Sequence, residues 1–440
     1  MFKKVLMTVA MLMTVNIPPV AAQTTTKLSL LFRNIYGPNG LVVDSKALLP
    51  DGSTHSGHFN SGFQSEFSQF NVALASQLTA LPLPSPASGF TYDFDASTGT
   101  FRRSTQSFGP ILAERAETIG KGKLSFGLNY QHFAFDSIEG INLSRVPAVF
   151  VHDEYEIGGG RADVVTTANT IEASVGQLTP FLTYGLTNRI DISVAVPVVH
   201  TSLDVVSDAT IHRIGTAGDP EVHFFRDPSA PDGVGSQRQF YASGEATGMG
   251  DIILRAKGTI LREHFVGIAV GADLRTPTGD EEDLLGAGAL GVKPFVAVSF
   301  LIDRISPHAN LAYQWNGKSE LAGDVNAQGK ADLPDHFLYV AGADIGVSPK
   351  LTLAFDFFGQ EVRGTQRLFA RTFTATDGTV SGTFPDIGFR KETYTQAYGS
   401  VGVKTNVGNN LLVNFNVEFR LNKTGLQAKA VPLIGLEYSF

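Results

Sequence analysis

The last eleven residues of the chain, 430–440, place a large apolar side chain at every second position. These side chains are Pro432, Ile434, Leu436, Tyr438 and Phe440. Because residues two apart in a β-strand point to the same face, the pattern predicts a strand with one apolar face. At the free edge of a soluble sheet such a strand promotes aggregation. In a closed barrel the same face can meet lipid, so the pattern favours a transmembrane β-barrel that this strand completes.

The aromatic end of this strand suggests a second role for the same residues. Phe440, Tyr438 and Leu436 resemble the C-terminal signal that the barrel-insertion machinery recognises in outer-membrane proteins. We therefore expect that machinery to be a partner of the chain during its assembly.

The same alternation recurs along the chain from residue 121 onward. Each alternating segment is long enough to cross a bilayer as a tilted strand. The segments lie at 124–130, 171–185, 190–198, 252–260, 266–274, 290–300, 311–315, 337–347, 351–357, 394–403, 411–419 and 430–440. With an error of about one hairpin in such a count, the sequence predicts an all-β protein, an antiparallel transmembrane β-barrel of about 12 strands (12–14).

The connections between these segments alternate between short and long. Short turns are expected near 185–189, 302–307 and 348–350, and long polar loops near 200–248 and 362–392. Short periplasmic turns and long outer loops are typical of bacterial barrels. An even number of crossings also returns the C-terminus to the periplasmic side.

The N-terminal residues indicate export. Lys3 and Lys4 precede an apolar run from Val5 to Val15, and small residues follow before Gln23. This pattern predicts a signal peptide over residues 1–22. No other stretch reaches the length of a transmembrane helix. The expected location is the outer membrane of a Gram-negative bacterium, with outer-membrane lipid and lipopolysaccharide as surroundings.

The composition excludes several classes of function. The chain has 46 glycines and 32 phenylalanines, only 17% charged residues, and a formal net charge of -8. It has no cysteine, so neither disulfides nor thiolate metal sites can form. The acidic balance leaves no basic surface to neutralise phosphates, which argues against a nucleic acid partner. No cofactor is expected.

Residues 23–120 do not alternate and instead carry a helical pattern. Large apolar side chains recur at the spacing of one helix face, at Phe63, Phe67, Phe70, Leu74 and Leu78. Ser61 can cap this helix and Pro82 ends it, and a second short helix is expected from Pro110 to Thr118. The first helix either plugs the lumen and contacts an apolar solute, or packs at the rim or the membrane interface.

Charged residues in the hairpins at 250–300 alternate with the apolar positions and are expected to face the lumen. They are Asp251, Arg255, Lys257, Asp273, Arg275 and Lys293. They form either a charged constriction that selects what passes, or an ion-pair lattice that fills a narrow barrel.

Neither a metal site nor a catalytic site is expected. The run Asp280-Glu-Glu-Asp283 offers clustered carboxylates, but its spacing fits no calcium loop. His212 and His223 with Asp219 and Glu221 could form a metal or acid/base cluster, but no nucleophile is near in sequence. The chain is therefore expected not to be an enzyme.

Four stretches carry a family resemblance. They are 250–257, beginning Gly-Asp-Ile-Ile-Leu-Arg, 269–280, containing Asp-Leu-Arg-Thr-Pro-Thr-Gly-Asp, and the shorter 283–288 and 292–295. They resemble the outer-membrane proteins of the meta-pathway phenol-degradation family, which are distantly similar to fatty-acid and toluene channels. The resemblance implies a transporter for small, often aromatic, compounds. The Asn-Pro-Ala hatch signature of fatty-acid channels does not occur in 23–120.

The sequence thus predicts three parts, which are a signal peptide (1–22), a partly helical segment and candidate plug (23–120), and an outer-membrane β-barrel (121–440). The favoured function is a channel for small hydrophobic or aromatic compounds, with a small apolar solute as its ligand. The alternative is a closed structural barrel whose long outer loops bind a partner.

Overall fold

The computed structural model describes most of the chain from residue 27 onward. The described residues are 27–37, 39–48, 52, 55, 57–63, 69–80, 89, 91–95, 100–103, 107–153, 155–263, 265–324, 329–408 and 410–440. The expected signal peptide, 1–22, and the helix residue Phe67 lie outside them.

Twelve antiparallel strands form a closed barrel. Two of them, β3 and β4, are each interrupted once within the wall. The strands are β1 (Leu124–Ile138), β2 (Val164–Gly185), β3 (Ile190–Ala195 and Val198–His212), β4 (Gln237–Met249 and Ile253–Arg262), β5 (Val266–Arg275), β6 (Gly291–Phe300), β7 (Ile305–Asn316), β8 (His336–Ser348), β9 (Leu351–Asp377), β10 (Val380–Gly408), β11 (Leu411–Arg420) and β12 (Ala430–Ser439).

The last strand closes the barrel against the first. Leu436 lies opposite Leu128 and Tyr438 opposite Phe126 in the register between β12 and β1. The backbone N–H of Phe440 donates to the carbonyl oxygen of Leu124 at 2.8 Å. Closure leaves neither β1 nor β12 as a free edge. The sequence-based prediction of a twelve-stranded antiparallel barrel is confirmed.

Every strand of the barrel presents an exposed large apolar side chain on its outer face. One example per strand, from β1 to β12, is Phe126, Leu182, Ile192, Leu254, Val270, Val296, Leu311, Val347, Phe355, Val401, Phe415 and Ile434. The neighbouring positions on each strand point inward and are largely buried. An apolar band around a closed barrel is the surface that a bilayer covers.

Two hairpins extend well beyond this band at the end of the barrel with long loops. Strands β9 and β10 pair from Leu351 with Thr405 out to Asp377 with Val380, and β3 pairs with β4 out to Thr210. The sequence indicated loops at 362–392 and 200–248, which was largely wrong. In the first part of β4 and in the outer parts of β9 and β10 much of both strand faces is exposed, so the alternation that identifies a half-buried strand is lost. Strand β3 keeps an alternation, with residues such as Leu203 and Val205 buried on its inner face.

Short helices and strands lie outside the twelve barrel strands, both in the N-terminal segment and in the connections between strands. The helices are α1 (Leu31–Asn34) and α2 (Gln69–Ala80), and 3₁₀ turns lie at Leu28–Leu30, Leu143–Arg145, Tyr155–Ile157 and Gly159–Ala162. Short strands outside the twelve are Leu41–Val43, Gly57–Asn60, Tyr92–Asp95, Thr100–Arg103, Ile141–Asn142, Val146–His152, Phe225–Arg226, Val234–Gly235, Lys318–Asp324, Gly329–Asp332 and Leu426–Ala428. None of the helices in the described part of the chain combines the length and the apolar character needed to cross a bilayer.

Candidate functional site in the barrel lumen

Helix α2 packs inside the barrel and is buried on most of its surface. Phe63, Phe70 and Leu74 are buried in the main apolar cluster, and Leu78 packs against that cluster while partly buried. The ring of Phe32 lies 5.0 Å from that of Phe70 and 6.5 Å from that of Phe63. Polar residues on the other sides of α2, namely Asn71, Ser76 and Thr79, are buried as well, so the barrel encloses the helix on most of its surface.

A small amide network ties α2 to the barrel wall. Gln77 Nε2 donates to Gln396 Oε1 at 2.8 Å and to the carbonyl oxygen of Leu426 at 2.9 Å. Gln360 Nε2 donates to the same Gln396 oxygen at 2.6 Å. Gln360 and Gln396 lie at inward-facing positions of β9 and β10. The helix is thus held to the lumen wall by hydrogen bonds between uncharged groups.

An aromatic cavity of about 50 Å³ lies between α2 and the wall. Since one water molecule needs about 10–15 Å³ of such a volume, the cavity has room for a few water molecules. Phe358 and Tyr398 stack beside it with ring centroids 5.3 Å apart. The lining residues are Gln77, Phe133, Phe135, Leu338, Phe358, Gly359, Gln360, Tyr398, Glu418, Leu426, Gln427, Ala428 and Val431. Its walls are mostly apolar and carry a few polar groups, which is the general character of a small-molecule pocket.

Residues 107–120 line the lumen at the end with short turns. The backbone N–H of Glu114 donates to Asn310 Oδ1 at 2.7 Å, and that of Ala116 to Ser299 Oγ at 2.9 Å. Lys404 Nζ donates to the carbonyl oxygen of Pro110 at 2.6 Å. The expected helix from Pro110 to Thr118 is therefore wrong. Side chains of the barrel wall bind the backbone groups that a helix would pair internally.

The six lumen charges expected from the sequence all point inward and are paired. Arg255 makes two hydrogen bonds to Asp273, at 2.6 and 2.7 Å, and Lys293 Nζ lies 3.0 Å from the same carboxylate. Arg275 Nη1 donates to Asp251 Oδ2 at 2.7 Å.

The sixth charge, on Lys257, joins this lattice to the N-terminal segment. Its Nζ lies 3.2 Å from Glu114 Oε2 and donates to the carbonyl oxygens of Arg115 and Glu117. Arg255 also pairs with Glu114. Because Glu114 belongs to 107–120, the wall charges hold that segment in place. The sequence indicated the inward-facing charges of the wall, but it did not indicate Glu114 as the partner of Arg255 and Lys257.

The acidic run at 280–283 holds a lysine. Lys27 Nζ lies 2.8 Å from Asp283 and 3.1 Å from Asp280. The hydrogen bond that Lys27 donates to Asp283 raises the pKa of Lys27 above its ordinary value. These carboxylates thus anchor the start of the described N-terminal segment to the long-loop end.

The structure separates the histidines that the sequence grouped. His212 Nε2 lies 2.8 Å from Thr166 Oγ1, whereas His223 Nδ1 lies 2.8 Å from Asp163 Oδ2. His223 instead meets His55 and His152. These two lie 168 and 71 residues away from it along the chain, counted as 223−55 and 223−152. No short-range spacing could have revealed this grouping.

The three residues expected to serve in barrel assembly lie at the end of β12. Leu436 and Phe440 are exposed on the outer face, and the Tyr438 ring lies 4.7 Å from that of Phe440. Their recognition by an insertion machinery stays a prediction.

A closed antiparallel barrel with a lipid-facing apolar band and a lumen filled by side chains defines an outer-membrane β-barrel protein. A comparison of the sequence with protein families also identifies the family of the chain. A family model described as "Putative MetA-pathway of phenol degradation" matches residues 149–425, well over half of the chain. The chain belongs to this family.

Solved barrels resemble the structure at low sequence identity. The COG4313 outer membrane channel from Pseudomonas putida F1 is 14% identical, with 74% of this chain and 98% of that chain covered and a TM-score of 0.44. The Ralstonia pickettii toluene transporter TbuX is 13% identical, with 82% and 100% covered and a TM-score of 0.36. The P. putida toluene transporter TodX is 9% identical, with 72% and 89% covered and a TM-score of 0.30. No curated protein matches the sequence.

Proposed function

We propose that this protein is an outer-membrane channel for small hydrophobic or aromatic compounds, gated by its N-terminal segment. The aromatic cavity between α2 and the wall is the observation that carries the proposal. The description of the family, which refers to phenol degradation, supports the same class of solute.

Phenolic compounds fit the chemistry of the cavity. Their rings can pack on Phe133, Phe358 and Tyr398, since offset and edge-on ring contacts are favourable. Their hydroxyl groups can exchange hydrogen bonds with Gln360 or Glu418, which also line the cavity. This combination distinguishes a phenol from an alkane of similar size.

Passage requires α2 to move. A cavity of about 50 Å³ is much smaller than a typical ligand pocket of about 300–1,000 Å³. The charge lattice around Glu114 involves several buried ion pairs, whereas α2 is tied to the wall by the Gln77 amide. Neutral hydrogen bonds are weaker than charge-assisted ones. We therefore infer that α2 is displaced first, while 107–120 stays bound to the wall.

A second candidate is a closed barrel that binds an external partner. The long β9–β10 hairpin, which runs from Leu351 to Gly408, favours it. In that case the lumen lattice would serve stability alone, and the cavity would be a packing defect. Lipopolysaccharide and other outer-leaflet lipids would surround the barrel in both cases.

The two candidates differ in one measurable quantity, which is solute uptake. The test compares phenol uptake by Gram-negative cells with an intact lipopolysaccharide leaflet, because pure phospholipid bilayers pass phenol by themselves. Cells expressing the wild type are expected to take up phenol faster than cells with an empty vector.

A matched pair of substitutions locates the pathway. Ala428→Phe fills the cavity, whereas Ala430→Phe adds the same ring two residues away at an exposed position of the wall. Uptake is expected to fall to the vector level for A428F and to stay unchanged for A430F. The proposed channel function would be contradicted if cells with the vector and cells with the wild type took up phenol equally fast, or if the two variants gave equal uptake.

A further inference from the structure

Three histidines converge at the long-loop end of the barrel, outside the lumen site. His55 precedes the short strand Gly57–Asn60, His152 ends the strand Val146–His152, and His223 lies in the loop between β3 and β4. His55 Nε2 lies 3.1 Å from His152 Nε2 and 3.4 Å from His223 Nε2. One ligand nitrogen from each ring lies within 4.8 Å of the other two.

The opposite nitrogens of two rings are already engaged. His223 Nδ1 lies 2.8 Å from Asp163 Oδ2, and His152 Nδ1 lies 2.8 Å from the carbonyl oxygen of Asp153. A carbonyl accepts only, so the Nδ1 of His152 carries the proton. The carboxylate of Asp163 places the proton of His223 on Nδ1 in the same way. Both Nε2 atoms therefore point a lone pair at His55.

Hydrogen bonds fix the Asp163 carboxylate in the position that orients the ring of His223. It is fully buried and accepts hydrogen bonds from the backbone N–H groups of Gly215 and Thr216, besides His223. The hydroxyl of Thr216 donates to it as well. A carboxylate behind a histidine is the arrangement that supports many metal ligands.

The surrounding packing fixes the imidazole rings of His152 and His223. The ring of Phe59 meets those of His152 and His223 edge-on, each at 5.4 Å. His152 is 6% exposed and His223 is 0% exposed. Both rings therefore have little freedom to turn away from His55.

A shared cation explains the arrangement better than hydrogen bonds alone. A proton on His55 Nε2 can serve one of the two facing lone pairs but not both. A cation between the rings serves all three nitrogens at once. Zn–N bonds of about 2.0–2.1 Å at a tetrahedral angle place ligand nitrogens about 3.3–3.4 Å apart, close to the separations seen here.

We propose that His55, His152 and His223 bind one divalent transition-metal ion of the Zn²⁺ class, with Asp163 positioning His223. Three imidazoles without a carboxylate ligand suit Zn²⁺, Cu²⁺ or Ni²⁺ and not Ca²⁺ or Mg²⁺. The fourth position of a tetrahedral ion stays open to water. The ion joins the N-terminal segment, through His55, to two outer loops.

Metal binding to the purified full chain tests this site. The protein carries no histidine tag, is stripped with EDTA and is titrated with ZnCl₂ by calorimetry, and Co²⁺ absorption reports tetrahedral geometry. One ion per chain is expected. H55A, H152A and H223A should each weaken binding at least 100-fold. D163N should weaken it about 10–100-fold and keep the stoichiometry, as removal of the group behind a ligand does.

His200 provides the matched control. It is an exposed histidine of β3 whose Nδ1 lies 2.7 Å from Thr247 Oγ1. H200A should bind Zn²⁺ like the wild type. Wild-type affinity no tighter than that of the triple variant H55A/H152A/H223A, or an equal loss in H200A, would overturn the site.

A measurement on the wild type guards against variants that fail to fold. Zn²⁺ should slow hydrogen exchange of the backbone amides at 57–60, and EDTA should reverse the effect. Exchange that does not respond to Zn²⁺ would contradict the proposal even if every variant misfolds. The measurement involves no solute transport, so its outcome does not depend on the channel function.

Discussion

The side-chain amide of Gln77 donates to Gln396 Oε1 at 2.8 Å and thereby joins the lumen helix to the wall of the barrel. Gln77 comes from the N-terminal segment, and Gln396 lies 319 residues further along the chain on β10. Beside this contact lies the aromatic cavity. The contact therefore links the position of α2 to the proposed pathway.

Loss of the Gln77 amide should open the channel more often. Gln77→Ala removes two hydrogen bonds from α2, each worth about 0.5–1.5 kcal/mol. If α2 gates the pathway, the open fraction should rise about tenfold, which matches about 1.4 kcal/mol. Single-channel recording in planar bilayers measures that fraction. Q239A is the control, because Gln239 bonds to Asp208 at an exposed site.

Breaking the lattice around Glu114 should destabilise the fold. Glu114→Gln removes the carboxylate that the buried Lys257 bonds, and breaking a buried pair in this way typically costs about 3–5 kcal/mol. Lys257→Met should cost less, because Arg255 still pairs with Glu114. The double variant should lose less than the sum of the two single losses. Urea unfolding in liposomes gives the free energies. K46A, at an ion pair about half exposed, should change stability by less than about 1 kcal/mol. Additive losses would show that the two charges are not coupled.

A charge on the outer face should be tolerated only above the membrane. Ile434→Arg places a guanidinium on the lipid-facing side of β12 and should cost about 2–4 kcal/mol near the midplane. Val380→Arg puts the same group at the exposed tip of the β9–β10 hairpin and should be nearly neutral. Unfolding titrations of both variants in liposomes supply the comparison. Equal losses would contradict the assigned membrane band.

Acidification should loosen the histidine cluster in metal-free protein. His152 faces His55, His223, Asp153 and Arg161, and burial lowers its pKa below the unfolded value of about 6.5. Below that pH the imidazole of His152 takes up a proton when the cluster is open but not when it is packed. The packed cluster therefore loses stability as the pH falls. Hydrogen exchange at 146–152 should be faster at pH 5.5 than at pH 7.5. In H152Q this difference should shrink, and an undiminished difference would assign the effect to another group.

The sequence predicted those features that depend on contact with lipid. Outward side chains such as Phe355 and Phe415 must be apolar and alternate with inward polar ones, so the positions of the twelve strands could be read directly. The hairpin beyond residue 362 is solvated over much of both faces and gave no such signal. The apolar spacing of Phe63, Phe70 and Leu74 also indicated a helix, although α2 is buried on its polar sides as well.

Long-range partners could not be predicted in the same way. Arg255 and Lys257 were expected to face inward, but their shared partner Glu114 lies 141 and 143 residues away. Its segment was expected to be helical, since its spacing does not show that wall side chains bind its backbone. The pairing of His55 with His152 likewise depends on where two loops meet above the barrel.

Reversible tethering of α2 to the wall tests gating by the N-terminal segment most directly. The chain has no cysteine, so Gln77→Cys and Gln396→Cys can be joined by a short bis-maleimide that contains a reducible disulfide. Single-cysteine variants treated in the same way serve as controls. Phenol uptake by cells carrying the double variant should fall to the vector level on cross-linking and return on reduction. Uptake that persists at full cross-linking would show that solute does not pass by displacement of α2.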